Sequence, residues 1–192
     1  MAQLRGLRLA VCAAVMAGCL SASASMAAAA PEYRVKAVFL FQFAQFVEWP
    51  GAAMASERAP DAAPFEICVL GEDPFHEYLD ETVQGEAVKG RQLTVRRYHR
   101  AEELPQELEN CSILFIARSE TDQLDSILGV LRGRSVLTVS DSSRFAERGG
   151  AIQFVTINNK IKLRINAEAA KAAQLTISSK LLGLADIVKG QG

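Results

Sequence analysis

The chain has 192 residues, 49% of them hydrophobic, with 21 basic against 22 acidic side chains. Setting aside residues 1–30, which carry Arg5 and Arg8 and no acid, leaves about 162 residues with 19 basic and 22 acidic. That length suits one domain that buries roughly 70% of its unfolded surface without a metal to hold the core. The slight acidity argues against a nucleic-acid binder, which would present a basic face.

Residues 1–30 read as an export leader. Arg5 and Arg8 form a positive start, Leu9 to Leu20 a short apolar run, and Ser21 to Ala30 a small-residue tract with several A-x-A cleavage points. The apolar run is shorter than the ~20 residues needed to span a bilayer. Met16-Ala17-Gly18-Cys19 resembles a lipoprotein box, though Met in place of Leu favours a soluble, periplasmic product over acylation at Cys19. With Cys12 and Cys19 in the leader, Cys68 and Cys111 are left in the mature domain, 31–190. In an oxidising compartment they suggest one disulfide; the alternative is two separately buried thiols.

In chain order, Glu32 to Glu48 reads as a helix opened by Pro31 and stopped before Pro50, with Val35, Val38, Phe39, Phe43, Phe46 and Val47 at helical spacing. Its apolar circumference predicts burial on several sides, or a face offered to a partner, which leaves room for a homodimer. Arg34 and Lys36 argue against a membrane span. Gly51 to Pro64 is a linker. Phe65–Leu70, Leu93–Tyr98, Ser112–Ala117 and Ser135–Val139 read as strands. Between them fall helical stretches at Phe75–Val83, Arg100–Glu109 and Thr121–Leu131. The run Arg96 to Arg100 reads as a solvated strand end. Strict β-α alternation predicts a single α/β domain: a mostly parallel central sheet flanked by helices, joined by right-handed crossovers. The ending departs from it. Ala151–Ile157 and Ile161–Ile165, joined through Asn158-Asn159, predict an antiparallel hairpin at a sheet edge, and Ala167–Val188 a long closing helix.

Sequence signatures of catalysis are missing. There is no G-x-G-x-x-G, Walker or G-x-S-x-G sequence, and no H-E-x-x-H or C-x-x-C, so neither cofactor nor metal is expected. The two histidines, His76 and His99, read as solvated side chains. One polar constellation follows a parallel strand. Ser140, Asp141 and Arg144 could hold a small zwitterion at the carboxyl end of the sheet, or Asp141 or Ser142 could cap a short helix before Gly149.

KAVFLFQFAQFVEWP, ICVLGEDPF, KGRQLTV, CSILFIA, LTVSDSSRF with GGAIQFV, and INAEAAKAAQLTISSKLLGLA, in this order, resemble the YfiR/HmsC-like family of bacterial periplasmic proteins. The resemblance covers about 150 residues. It implies a non-enzymatic repressor that binds the periplasmic domain of an inner-membrane diguanylate cyclase, or of a sensor kinase, and holds down cyclic di-GMP and biofilm formation. An OmpA-like outer-membrane lipoprotein would relieve it. It also implies that Cys68 and Cys111 form the family's structural disulfide. A second cysteine pair that some members carry is replaced here by Ala146 and Gln153. For partner contacts the hairpin is the candidate: Ile152 and Phe154, with Arg164 on its polar face. A core position for Phe154 is the competing reading. The alternative function is a small-ligand module of a sensory or uptake system using Ser140, Asp141 and Arg144.

Overall fold

The computed structural model describes residues 31–50, 63–101, 104, 108 and 111–190. The expected leader, the body of the 51–64 linker and most of the 100–109 helix lie outside the described residues.

A helix over 31–46 (α1) opens the domain and runs into the two-residue strand Val47–Glu48 (β1). Next come Phe65–Leu70 (β2), Glu77–Val83 (α2), Ala87–Val88 (β3) and Arg91–Tyr98 (β4). Cys111–Ile116 (β5) follows, then a 3-10 turn over Arg118–Gln123 leading into Leu124–Val130 (α3), and Leu137–Ser140 (β6). Ile152–Ile157 (β7) and Lys160–Ile165 (β8) form the hairpin. The chain closes with Ala167–Ala172 (α4), Thr176–Ile177 (β9), Ser179–Leu182 (α5) and Ala185–Ile187 (β10).

Eight strands form the main sheet in the order β10-β8-β7-β6-β5-β2-β4-β3. The five central strands, β4-β2-β5-β6-β7, are mutually parallel, as the β-α alternation requires. β8 runs antiparallel to β7, and β10 parallel to β8. β2 and β5 are buried throughout, which explains the apolar runs over 67–70 and 113–116 within them. One face of the sheet packs on α1, with α2, α4 and α5 contributing Leu79, Val83, Ala170 and Leu181. The other packs on α3 through Leu124 and Ile127, with Cys68, Leu114 and Phe145. Cys68 and Cys111, on adjacent strands β2 and β5, are joined by a disulfide with Cα atoms 6.1 Å apart.

The fold class stands as read, but three details are corrected. The long closing helix is broken. Gln174 takes a left-handed φ of 60°, Leu175 N–H donates to Ala170 O and Gln174 N–H to Lys171 O, the pattern of a Schellman stop. The chain then pairs β9 with β1, and Ser178, whose N–H donates to Phe46 O, caps α5. The hairpin does not lie at the sheet edge, because β10 pairs with β8 outside it. Its turn does use Asn158 and Asn159 at φ 49° and 58°. Finally, a second tight hairpin at Lys89-Gly90, with φ 51° and 77°, adds β3 beyond β4, a strand too short to show in the sequence.

Candidate functional site

β7 starts where β6 ends: Val139 and Ser140 pair with Ile152 and Gln153. The rest of the hairpin therefore stands beyond the carboxyl edge of β6 as a wall. Facing it are the loops that leave β5 and β6. Between wall and loops lies a cleft of about 590 Å³, lined by Arg118, Thr121, Asp141, Ser142, Ser143, Arg144, Gln153, Phe154, Val155, Thr156 and Arg164.

At its base sits an ion cluster that ties α1 to the sheet. Lys36, in α1, is fully buried, and its Nζ donates to Asp141 Oδ2 at 2.5 Å. The same nitrogen lies 2.5 Å from Glu32 Oε1, one helical turn back, and 4.2 Å from the centre of the Tyr33 ring. Tyr33 Oη donates to Asp141 Oδ2 at 2.7 Å, and Thr156 of the hairpin donates to Glu32 Oε1 at 2.9 Å. Arg118 Nε lies 3.1 Å from the other oxygen, Asp141 Oδ1, which takes no aligned hydrogen bond.

Electrostatics follow the contacts. Burial works against ionisation of Asp141, but Lys36, Tyr33 and Arg118 outweigh it and hold its carboxyl below the ordinary value. Glu32 is lowered in the same way: burial opposes, and Lys36 and Thr156 prevail. Burial, with Asp141 beside it, pushes the Tyr33 phenol up. Burial disfavours charge on Arg118, but Asp141 more than offsets it and raises the guanidinium. Every charge in the cluster thus faces an opposite one. Asp141 is held ionised as an acceptor, so the arrangement clamps α1 rather than presenting a general acid or base.

The structure brings Asp141, Arg144 and Arg164 to one cleft, but it uses Ser140 elsewhere. Ser140 is fully buried; its hydroxyl donates to Ile116 O at 2.7 Å and accepts from Ser142 N–H at 3.0 Å. Asp141 caps no helix, since its carboxylate is committed to Lys36 and Tyr33. Arg144 adopts φ 58° in the turn after β6. Ile152 and Phe154 do not offer a surface. They are 0% and 2% exposed, and the Phe154 ring stacks on Phe43 at 5.8 Å and lies 5.9 Å from Phe39. The core reading of Phe154 therefore holds. Arg164 stays accessible and pairs with Glu147 at 3.0 Å. Ala146 and Gln153, the positions that the resemblance matches to a second cysteine pair, are in contact: Gln153 Oε1 accepts from Ala146 N–H at 3.4 Å. Gly150 abuts the Phe145 ring, where an added Cβ would lie 2.1 Å from Cε1.

Sequence reasoning missed Lys36, Tyr33 and Arg118. The available signal was one lysine set in an apolar helix, which the sequence turned only against a membrane span.

The usual ligand crevice of an open α/β sheet, where strand order reverses, falls here between β2 and β5. It is closed: Ala117 N–H donates to Leu70 O, Glu72 N–H to Ser119 Oγ, and an added Cβ on Gly71 would lie 2.3 Å from Ser119 Oγ.

A family model described as YfiR/HmsC-like matches residues 33–186, from Tyr33 of the cluster to β10. The chain belongs to the YfiR/HmsC-like family. That family is one of periplasmic, non-catalytic regulators. A conserved domain protein from Vibrio cholerae O1 biovar El Tor shares the fold, with a TM-score of 0.51 at 13% identity over 73% of this chain. The match covers 60% of that protein's length. No curated protein matches the sequence. Among the described residues no helix is long and apolar enough to cross a membrane.

Proposed function

We propose that this YfiR/HmsC-like protein is an exported repressor. It binds the periplasmic domain of an inner-membrane diguanylate cyclase and, by favouring one conformation of that domain, keeps cyclic di-GMP output low. The family match over residues 33–186 carries this reading. The ion cluster supports it, because its paired groups hold helix to sheet instead of standing ready for proton transfer. An OmpA-like outer-membrane lipoprotein is the expected antagonist, and a sensor kinase the alternative receptor.

With Ile152 and Phe154 interior, the partner contact falls to the outward face of the hairpin. Arg164 and Lys162 lie there, and exposed Ile157 sits at its tip. The test is deletion of the protein with cyclic di-GMP measured while the cognate cyclase is expressed. A rise, reversed by the wild-type chain and not by Arg164→Glu, is expected. Unchanged levels would overturn the repressor reading.

A further inference from the structure

A second opening lies at the other end of β6, away from the ion cluster. β7 pairs with β6 only at Val139 and Ser140, so Leu137 and Thr138 have no strand beside them on that side. The turn before β7 comes in instead, and Ala151 N–H donates to Thr138 Oγ1 at 2.9 Å. α4 and the end of α3 cover the place incompletely. They leave a cavity of about 400 Å³ that the repressor reading does not use.

The sequence explains the room. Ala169, Ala172 and Ala173 line the cavity from one face of α4, and each side chain ends at Cβ. Leu128 and Leu131 line it from the end of α3. A Cβ added to Gly149, on the rim, would meet only Leu128, 4.0 Å away. The floor is interior: Leu131, Val136, Thr138 and Ala151 are 6%, 6%, 7% and 2% exposed. Arg132, Gly133, Gly149 and Ala172, on the rim, are exposed.

One polar group on that floor is half used. A threonine hydroxyl both accepts and donates. Thr138 Oγ1 accepts from Ala151, but its proton meets no acceptor among the described residues. A donor on a side chain this buried calls for a partner. The other lining side chains are alkyl groups and two arginines, so none of them can accept. Arg148 is committed to Asp125 and to Thr121 O, and Arg132 leaves the mouth positive. The cavity therefore disfavours cations and suits an apolar body that carries an acceptor. A charged acceptor would lose its water at the floor, and one neutral hydroxyl does not offset that cost.

We propose that this cavity binds a small, uncharged, apolar carbonyl compound of the ketone or ester class. Its carbonyl oxygen accepts from Thr138 Oγ1, and its hydrocarbon body packs against Leu128, Leu131, Val136 and the α4 alanines. The volume falls within the range of small-molecule sites. The site is independent of the cyclase reading, since it is tested by direct binding with no partner present.

The test is an amide chemical-shift titration of the intact mature protein with acetophenone, 1-phenylethanol and ethylbenzene. These carry a carbonyl, a hydroxyl and neither on one carbon frame; benzoate supplies the charged acceptor. Wild type is compared with Thr138→Ser, Thr138→Val and Ala172→Leu, each checked for fold by circular dichroism. Acetophenone is expected to give saturable shifts centred on Gly149, Ala151, Ala169 and Ala172. It should bind about 5-fold tighter than ethylbenzene, the scale of one net hydrogen bond. It should also bind tighter than benzoate and than 1-phenylethanol, whose own proton finds no acceptor among the lining side chains. The preference over ethylbenzene should survive in Thr138→Ser and vanish in Thr138→Val; as a ratio within one variant, it does not depend on that variant's stability. Ala172→Leu fills the cavity from its exposed rim and should weaken acetophenone by about 10-fold or more. Four results would each overturn the proposal: no saturable shifts at millimolar acetophenone, shifts centred elsewhere, ethylbenzene or benzoate binding as tightly as acetophenone, or acetophenone binding unchanged in Ala172→Leu.

Discussion

Lys36 Nζ lies 2.5 Å from Asp141 Oδ2, joining two side chains 105 positions apart that are 0% and 2% exposed. Neither residue belongs to the same element, and the contact passes from the first helix to the turn after β6. It fixes how α1 lies across the sheet, and Glu32, Tyr33, Thr156 and Arg118 gather around it.

Removing one partner strands the other charge in the interior, which costs about 3–5 kcal/mol. Lys36→Met and Asp141→Leu should each destabilise by that amount, read as a lower urea midpoint. The double variant should be markedly more stable than the sum of the two losses implies, because no fully buried charge is left unpaired and the remaining partners, Glu32 and Arg118, both reach solvent. Additive losses would show that the pair is not coupled.

Acid should loosen the same clamp. Asp141 and Glu32 both have carboxyls held below their ordinary values of 3.8 and 4.5. A depressed folded value means the native state resists protonation more than the unfolded chain does. The stabilisation is therefore fully present above the ordinary values and lost as pH falls below about 4 through the folded ones. Urea midpoints measured from pH 6 down to pH 2 should fall steeply at the acid end, and the Lys36→Met variant should show a shallower fall.

Phe154 and Arg164 separate core from surface on one hairpin. Phe154→Ala removes a ring stacked against Phe43 and should cost about 3–5 kcal/mol. Arg164→Glu breaks a part-exposed pair with Glu147 and should cost no more than ~1 kcal/mol. Thermal unfolding of the two variants checks the ranking. Only the arginine variant can then report on partner contact without a folding defect.

The Cys68–Cys111 bridge closes a separation of 43 residues. Loop-closure entropy assigns it about 4 kcal/mol. A Cys68→Ala, Cys111→Ala variant should unfold at correspondingly lower denaturant. Cys68 is fully buried, so an added thiol reductant should reach the bridge only after unfolding. Mass spectrometry after reduction and alkylation, with and without denaturant, distinguishes the two states: two labels with denaturant and none without.

The sequence by itself determined the layer architecture, because the short apolar runs over 67–70 and 113–116, set between amphipathic segments, suit strands covered on both faces. Amphipathic segments between them dictated parallel crossovers, and Asn158-Asn159 marked its hairpin through the positive φ that few other residues accept. Local pattern also drew a single closing helix over 167–188, since alanine and leucine favour helix wherever nothing competes. Tertiary contacts competed. Pairing of Thr176–Ile177 with Val47–Glu48 and of Ala185–Ile187 with β8 stabilises the broken path, which no helical periodicity could reveal. Site residues divide the same way. Asp141, Arg144 and Arg164 were visible as polar groups beside a strand end or on a wet face. Lys36 was not, because a lysine in an apolar helix reads as exposed or snorkelling until a carboxylate is known to wait for it. That carboxylate is brought by the fold from 105 residues away, and long-range charge pairing leaves no periodic trace along the chain.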